Sequence, residues 1–252
     1  MNTTAQLRPR PVGILGGMGP AAGADFVRLF VQACNAHLLR TGQTVNDQAY
    51  PEHLLAQVPV PDRTAALITG SDAPLPAMRQ AIAKLEICGA SAIAIACNTA
   101  HAWHTRLQAY FPQTELLHVA REVAAQLKAL GLREVGLMAT QGTYNNALYD
   151  EALAQTGIAC HCPLEAERDT LMRGIYQGVK TGDLAYARNC FVEVAQRLHA
   201  RHGNITLIMG CTEIPLALDK APQAAHWHLV NPAQVLAEAL AGRAYDLGAA
   251  SP

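Results

Sequence analysis

Two short apolar runs set the terms for this chain, Ser91 to Ala96 (SAIAIA) and Asn204 to Met209 (NITLIM). Each is rich in small and β-branched residues, and each gives way almost at once to a cysteine with polar followers, Cys97-Asn98-Thr99 and Cys211-Thr212-Glu213. A short apolar run without alternation fits a parallel strand buried on both faces, and such a strand needs helices covering its sheet on either side. Two strand exits of this kind, far apart in the chain, predict an α/β fold built from two similar lobes.

Composition is in keeping with that architecture. Half of the 252 residues are apolar and only 15% are charged, enough apolar material for a large buried core and too little charge for disorder. The net charge is −1 and there is no lysine or arginine run, so nothing points to nucleic acid or an anionic membrane as a partner, and a small ligand is expected. No stretch reaches the ~18 apolar residues of a membrane span, and the N-terminal MNTTAQLRPRP lacks the apolar segment of a signal peptide, so a soluble, cytoplasmic protein is expected. The seven cysteines include no C-x-x-C pair, which predicts free thiols rather than a disulfide framework.

Along the chain, residues 1–10 read as a tail. A strand over 11–15 then runs into Gly16-Gly17-Met18-Gly19-Pro20, a ligand loop or a tight βα turn, with Pro20 opening a helix to about Leu38. The spacing does not match a dinucleotide fingerprint. A short strand is predicted over 53–58. The prolines after it hold the chain extended up to Asp62, a helix cap, and Arg63, either a guanidinium projecting from a stiff loop to grip a carboxylate or a solvated charge. Helical spacing over 75–88 ends at Gly89. The pattern restarts with a strand over 135–139, the loop Thr140-Gln141-Gly142-Thr143 and a single helix over 144–155. Helices are also predicted over 167–180, 183–202 and 232–240, with a short strand at Leu229–Val230. The expected lobes are residues 1–118, rejoined by a C-terminal helix within 225–252, and residues 119–224.

Two thiols at equivalent strand exits would face each other across a ligand held between the lobes. Such a pair suits proton transfer at carbon: one thiolate removes a proton from one face and the opposite thiol delivers one to the other, inverting a stereocentre without a cofactor. A free thiol with pKa ~8.5 lies within tuning range of neutrality, and a helix N-terminus favours the thiolate. Asn98, Thr99, Thr212 and Glu213, with nearby backbone N–H groups, are placed to bind a carboxylate. Taken singly, each cysteine also fits a buried structural role. His101, one turn after Cys97, is either a base or hydrogen-bond partner for the thiol or a satisfied helix histidine. No metal site is expected at Cys160-His161-Cys162, because alternation turns His161 to the opposite face and no second pair sits nearby.

Five segments, GILGGMGP at 13–20, PDRTA at 61–65, ACNTAH at 96–101, MRGIYQGVKTG at 172–182 and GCTEIP at 210–215, together resemble the cofactor-independent aspartate/glutamate racemase superfamily, in its aspartate racemase branch. They occur in family order and span nearly the whole chain. The resemblance implies two flavodoxin-like lobes, each a mostly parallel sheet flanked by helices, with the active site in the cleft between them, in a homodimer that uses no cofactor. By motif, Cys97 and Cys211 correspond to the acid/base pair. Asn98, Thr99, Thr212 and Thr143 correspond to binders of the α-carboxylate, and Arg63 and Lys180 to cations for the side-chain carboxylate of a dicarboxylic amino acid. Gly17, Met18, His101 and Glu213 take supporting places. Three departures from the family pattern stand out: Gly23 replaces a threonine, Ala56 and Gln57 replace asparagines, and Asn231 replaces an aspartate. Besides L- and D-aspartate, the alternatives are glutamate or another small acid as substrate, or a non-catalytic acid sensor or thiol redox switch.

Overall fold

The computed structural model describes residues 8–246, so most of the expected N-terminal tail and the end of the C-terminal stretch lie outside the described residues. The first lobe is a four-stranded sheet of β1 (Val12–Gly16), β2 (His53–Gln57), β3 (Ala92–Ile95) and β4 (Glu115–Leu116) in the order β2-β1-β3-β4. The second repeats it with β5 (Glu134–Ala139), β6 (Ala159–His161), β7 (Thr206–Gly210) and β8 (Leu229–Val230) in the order β6-β5-β7-β8. All pairings are parallel. Ile14 stands beside Leu55 and Ala94 in the first sheet, and Leu137 beside Ile208 in the second.

In each sheet the chain leaves the first strand for one side and then returns to the other. The C-terminal ends of β1 and β3, and of β5 and β7, are therefore crevices where the strand order reverses, the usual ligand position in open α/β sheets. The glycine loop and Cys97 occupy one crevice, while Thr140 and Cys211 occupy its counterpart.

One hydrophobic core joins the lobes. It runs from Val12, Ile14, Phe26 and Phe30 of the first to Val135, Leu137, Tyr149 and Ile208 of the second. The helices α1 (Pro20–Arg40), α5 (Val119–Ala129) and α11 (Pro232–Tyr245) fill it. α11 packs on α1 and α5 and touches both β3 and β7, while β8 just before it closes the second sheet. Separate cores cover the outer faces. In the first lobe α2 (Arg63–Thr69), α3 (Pro74–Ile87) and α4 (His104–Tyr110) do this, with α3 burying Leu75, Met78, Ile82 and Leu85 at helical spacing. Among the described residues, no helix is long and apolar enough to cross a membrane.

Two predicted helices differ. The segment over 144–155 is split into α6 (Gln141–Asn145) and α7 (Leu148–Ala154), with Ala147 between them at φ 48°. Tyr144 and Tyr149 account for the break: the Tyr144 hydroxyl donates to the Leu137 carbonyl and accepts from the Ala139 N–H, while Tyr149 turns into the shared core. The segment over 167–180 is α8 (Glu165–Arg173), then a π-helical turn over Gly174–Gly178 and a 3₁₀ turn over Val179–Thr181. Here the chain lies directly on α9 (Leu184–His202): a Cβ on Gly174 would stand 2.6 Å from Phe191, and one on Gly178 2.7 Å from the Ala187 Cβ. Only glycine permits that approach, and the wider turn re-aims Tyr176 and Lys180 toward the cleft.

Candidate active site

Cys97 follows β3, where the chain turns at once into a 3₁₀ helix over Thr99–Trp103. Cys211 follows Gly210 at the end of β7. A side chain at Gly210 would press to 2.7 Å on Leu137, so the strand exit is drawn tightly onto its neighbour. α10 (Ile214–Leu218) then begins, with Pro215 in its first turn. Both thiols are 6% exposed and line one narrow cleft between the lobes, a cavity of about 20 Å³. The first lobe contributes Met18, Arg63, Thr64, Asn98 and Thr99 to its walls, and the second contributes Thr140, Ile175, Tyr176, Lys180, Thr212 and Glu213.

The thiols face opposite charges. Burial raises the pKa of Cys97 and the negative charge of Glu213 adds to this, while the adjacent Arg63 guanidinium works the other way, favouring the thiolate. Cys211 is pushed well above the ordinary thiol range, first by burial and then by Glu213, to which its Sγ donates at 2.9 Å. The Glu213 carboxylate is fixed by the Thr212 hydroxyl at 3.1 Å and by the Gly19 N–H of the opposite lobe at 3.2 Å. Both thiols are therefore raised, Cys97 against the pull of Arg63 and Cys211 with the help of Glu213.

Arg63 is neither in a loop nor solvated, contrary to both expectations from the sequence. It is the first residue of α2, whose N-cap Asp62 accepts from the Ala65 N–H at 2.8 Å, and it is 8% exposed. Its Nη1 donates to the Val60 and Pro61 carbonyls and its Nη2 to the Met18 carbonyl at 3.0 Å, while the buried Nε has no hydrogen-bond partner. The proline-rich turn exposes those carbonyls to a buried cation, so much of the fork is engaged with backbone. Lys180 is exposed at the cleft wall, with Nζ 3.9 Å from the centre of the Tyr176 ring. The Tyr176 hydroxyl donates to Asp62 at 2.8 Å. Burial would raise the Asp62 pKa, but the Ala65 N–H, the Tyr176 hydroxyl, Lys180 and Arg63 together hold it below the usual range.

Asn98 accepts a hydrogen bond from the buried Tyr149 hydroxyl. Thr99 belongs to a triangle of hydroxyls with Thr140 at 2.9 Å and Thr143 at 3.2 Å. Thr143 stands behind Thr140 and does not line the cleft; Thr140 takes the wall position because it is the N-cap of α6, accepting from the Thr143 N–H. A Ser or Thr at a strand exit just before a helix is a cap signal, which pointed to Thr140. Tyr176, also missed from sequence, precedes Lys180 by one helical turn.

His101 does not meet the thiol. The 3₁₀ turn aims its ring back at the chain, with Nδ1 2.9 Å from the Cys97 carbonyl oxygen and Nε2 3.3 Å from that of Leu117, and burial pushes it down to about 4. It borders a separate polar cavity beside His118 and Arg121. Gly17 has φ 93°, and a Cβ there would meet the Val58 carbonyl oxygen, so it shapes the loop that presents Met18 and Gly19.

The pattern of the Asp/Glu/hydantoin racemase family matches residues 15–240. Among solved structures, the aspartate racemase of Picrophilus torridus is 28% identical, with a TM-score of 0.78 over 94% of this chain and 100% of that one. Among curated sequences, the broad specificity amino-acid racemase RacX of Bacillus subtilis is 27% identical over 150 residues, covering 58% of this chain and 61% of that protein. A glutamate racemase of Stutzerimonas stutzeri is 34% identical over 137 residues, 50% of this chain and 47% of that protein. With two like-ordered parallel sheets, a cleft holding a cysteine from each and a family match across nearly its whole length, the chain belongs to the Asp/Glu/hydantoin racemase family.

Proposed function

We propose that the protein is a cofactor-independent amino-acid racemase that interconverts L- and D-aspartate by two-thiol proton transfer. The observation that carries this reading is the pair of buried thiols in one interlobe cleft, one beside a guanidinium and the other donating to a carboxylate. In one direction the Cys97 thiolate takes the α-proton from one face and the Cys211 thiol delivers its proton to the other, leaving a Cys97 thiol and a Cys211 thiolate. The opposite enantiomer reverses both steps. The hydroxyls of Thr99, Thr140 and Thr212, with the N–H groups at the two strand exits, stabilise the α-carboxylate as charge builds on deprotonation. Lys180 and the free part of the Arg63 fork attract a second carboxylate.

Incubation with either enantiomer of aspartate in D2O is expected to give both enantiomers carrying α-deuterium. Cys97→Ser and Cys211→Ser are each expected to lower racemisation by about 10²–10⁴-fold, the ordinary contribution of a positioned acid or base. Full activity in either variant would rule out the two-thiol mechanism.

A second reading, racemisation of several amino acids rather than of aspartate alone, is favoured by the commitment of Arg63 to three backbone carbonyls, which leaves few of its donors to select for a distal carboxylate. It also agrees with the name of the broad specificity relative. A panel of amino acids in D2O separates the two readings by which α-protons exchange.

A further inference from the structure

Away from the cleft, two thiols and a carboxylate meet where the edge strand β6 lies beside α7. Cys160 lies in β6 and Cys162 just past its end, two positions on, where continued extended alternation would turn both to the same face. That face packs toward α7, which carries Asp150. The two Sγ atoms and a carboxylate oxygen of Asp150 all lie within 4.8 Å of one another. His161 does turn away, as its place in the strand predicts: its Nε2 pairs with Glu134 at 3.0 Å and its ring stacks on His202. The third donor that strand spacing could not supply comes instead from α7.

Two thiolates and a carboxylate suit a borderline-soft cation far better than Mg²⁺ or Ca²⁺, which favour all-oxygen sets. With Zn–S bonds of about 2.3 Å, a tetrahedral site places its sulfurs about 3.8 Å apart, which falls inside the 4.8 Å that bounds the donor atoms here. Both thiols are free and partly buried. We propose that Asp150, Cys160 and Cys162 form a binding site for a thiophilic divalent cation of the zinc class, with water completing its coordination. Such an ion would tie the sheet edge to α7. The residue before Asp150 is Tyr149, whose hydroxyl holds Asn98 behind Cys97, so the ion would also brace the support of the cleft.

Cd²⁺, a spectroscopically visible relative of Zn²⁺, is the probe. Titration of the full chain is expected to bind a single equivalent with a sulfur-to-metal charge-transfer band, displaced by Zn²⁺. Because the cleft holds a second thiol pair, two double variants are needed. The band is expected to persist in Cys97→Ser/Cys211→Ser and to vanish in Cys160→Ser/Cys162→Ser. Loss of a supporting partner alone costs a metal site about 10–100-fold, so Asp150→Asn, an exposed substitution, is expected to weaken Kd at least tenfold. A band that survives without Cys160 and Cys162, one that disappears with Cys97 and Cys211, or an unchanged Kd in Asp150→Asn would each overturn the proposal. Binding is read without turnover, so the outcome does not depend on the racemase reading.

Discussion

The two cleft thiols differ in the charge each one faces, and that difference is open to measurement. Arg63 opposes the upward push of burial on the Cys97 pKa, whereas Glu213 adds to the push on Cys211. Removing the cation should move Cys97 further up, and removing the anion should let Cys211 fall. Alkylation by iodoacetamide reads the thiolate fraction of each cysteine separately when the modified peptides are quantified by mass spectrometry across a pH series. In Arg63→Gln the Cys97 alkylation curve is expected to shift to higher pH, and in Glu213→Gln the Cys211 curve to lower pH. Glu213 also raises Cys97, so its removal should lower that curve as well, by less. If the two substitutions shift both curves alike, the charges are not partitioned as the geometry indicates.

At the level of elements, the glycine loop and β2 are fitted to each other. The Gln57 side chain lies over the start of α1, donating to the Pro20 carbonyl at 3.0 Å. A Cβ on Gly23 would come within van der Waals overlap of the Gln57 Oε1, and one on Gly16 would stand 2.5 Å from it. Two departures from the family pattern, Gly23 and Gln57, are therefore one packing solution: the longer side chain occupies the space that a side chain at 23 would take. Gln57 is exposed and its amide can swing aside, so Gly23→Ala is expected to cost about 0.5–1.5 kcal/mol for driving that side chain off its rotamer, and the cost should disappear in Gly23→Ala/Gln57→Ala. A coupling energy of about 0.5–1.5 kcal/mol in urea unfolding of the four proteins would establish the fit. The third departure, Asn231, caps α11 by accepting from the Ala233 N–H at 3.0 Å. The buried strands, the glycine loop and both cysteine exits were legible in the sequence because each is a local pattern of apolar run, breaker and cap. The split at Ala147, the π turn over Gly174–Gly178 and the burial of Arg63 were not, since each is set by a partner distant in sequence: Asn98 for Tyr149, Phe191 and Ala187 for the glycines, Met18 for the guanidinium. Of the two readings of His101, the satisfied histidine holds: in a 3₁₀ turn its ring bonds the Cys97, Asn98 and Leu117 carbonyls rather than the thiol.

Across the whole molecule, the cleft is closed by polar clasps that each join one lobe to the other through a residue at or next to the site. Gly19 meets Glu213, Thr99 meets Thr140 and Thr143, Asn98 meets Tyr149, and Asp62 meets Tyr176. Lobe closure and site assembly are in this sense one event, with the shared core and α11 as the fixed base. The clasps differ in depth, and so should their effects. Tyr149 is fully buried, and Tyr149→Phe strands the Asn98 carbonyl without its donor, a loss expected to cost about 1–3 kcal/mol of global stability. Tyr176 lies at the cleft wall and is only partly buried, so Tyr176→Phe should leave the unfolding midpoint nearly unchanged. Its bond to the Asp62 carboxylate also carries Lys180 stacked on the ring, and losing that tie should loosen the wall that receives substrate. Substrate must then order the freed Tyr176 and Lys180 side chains itself, at about 0.5–1.5 kcal/mol each, so KM should rise by about tenfold with little change in kcat. Urea unfolding and steady-state racemisation on the same preparations test the division; a KM effect in Tyr149→Phe with a stability loss in Tyr176→Phe would reverse the roles assigned to the two clasps.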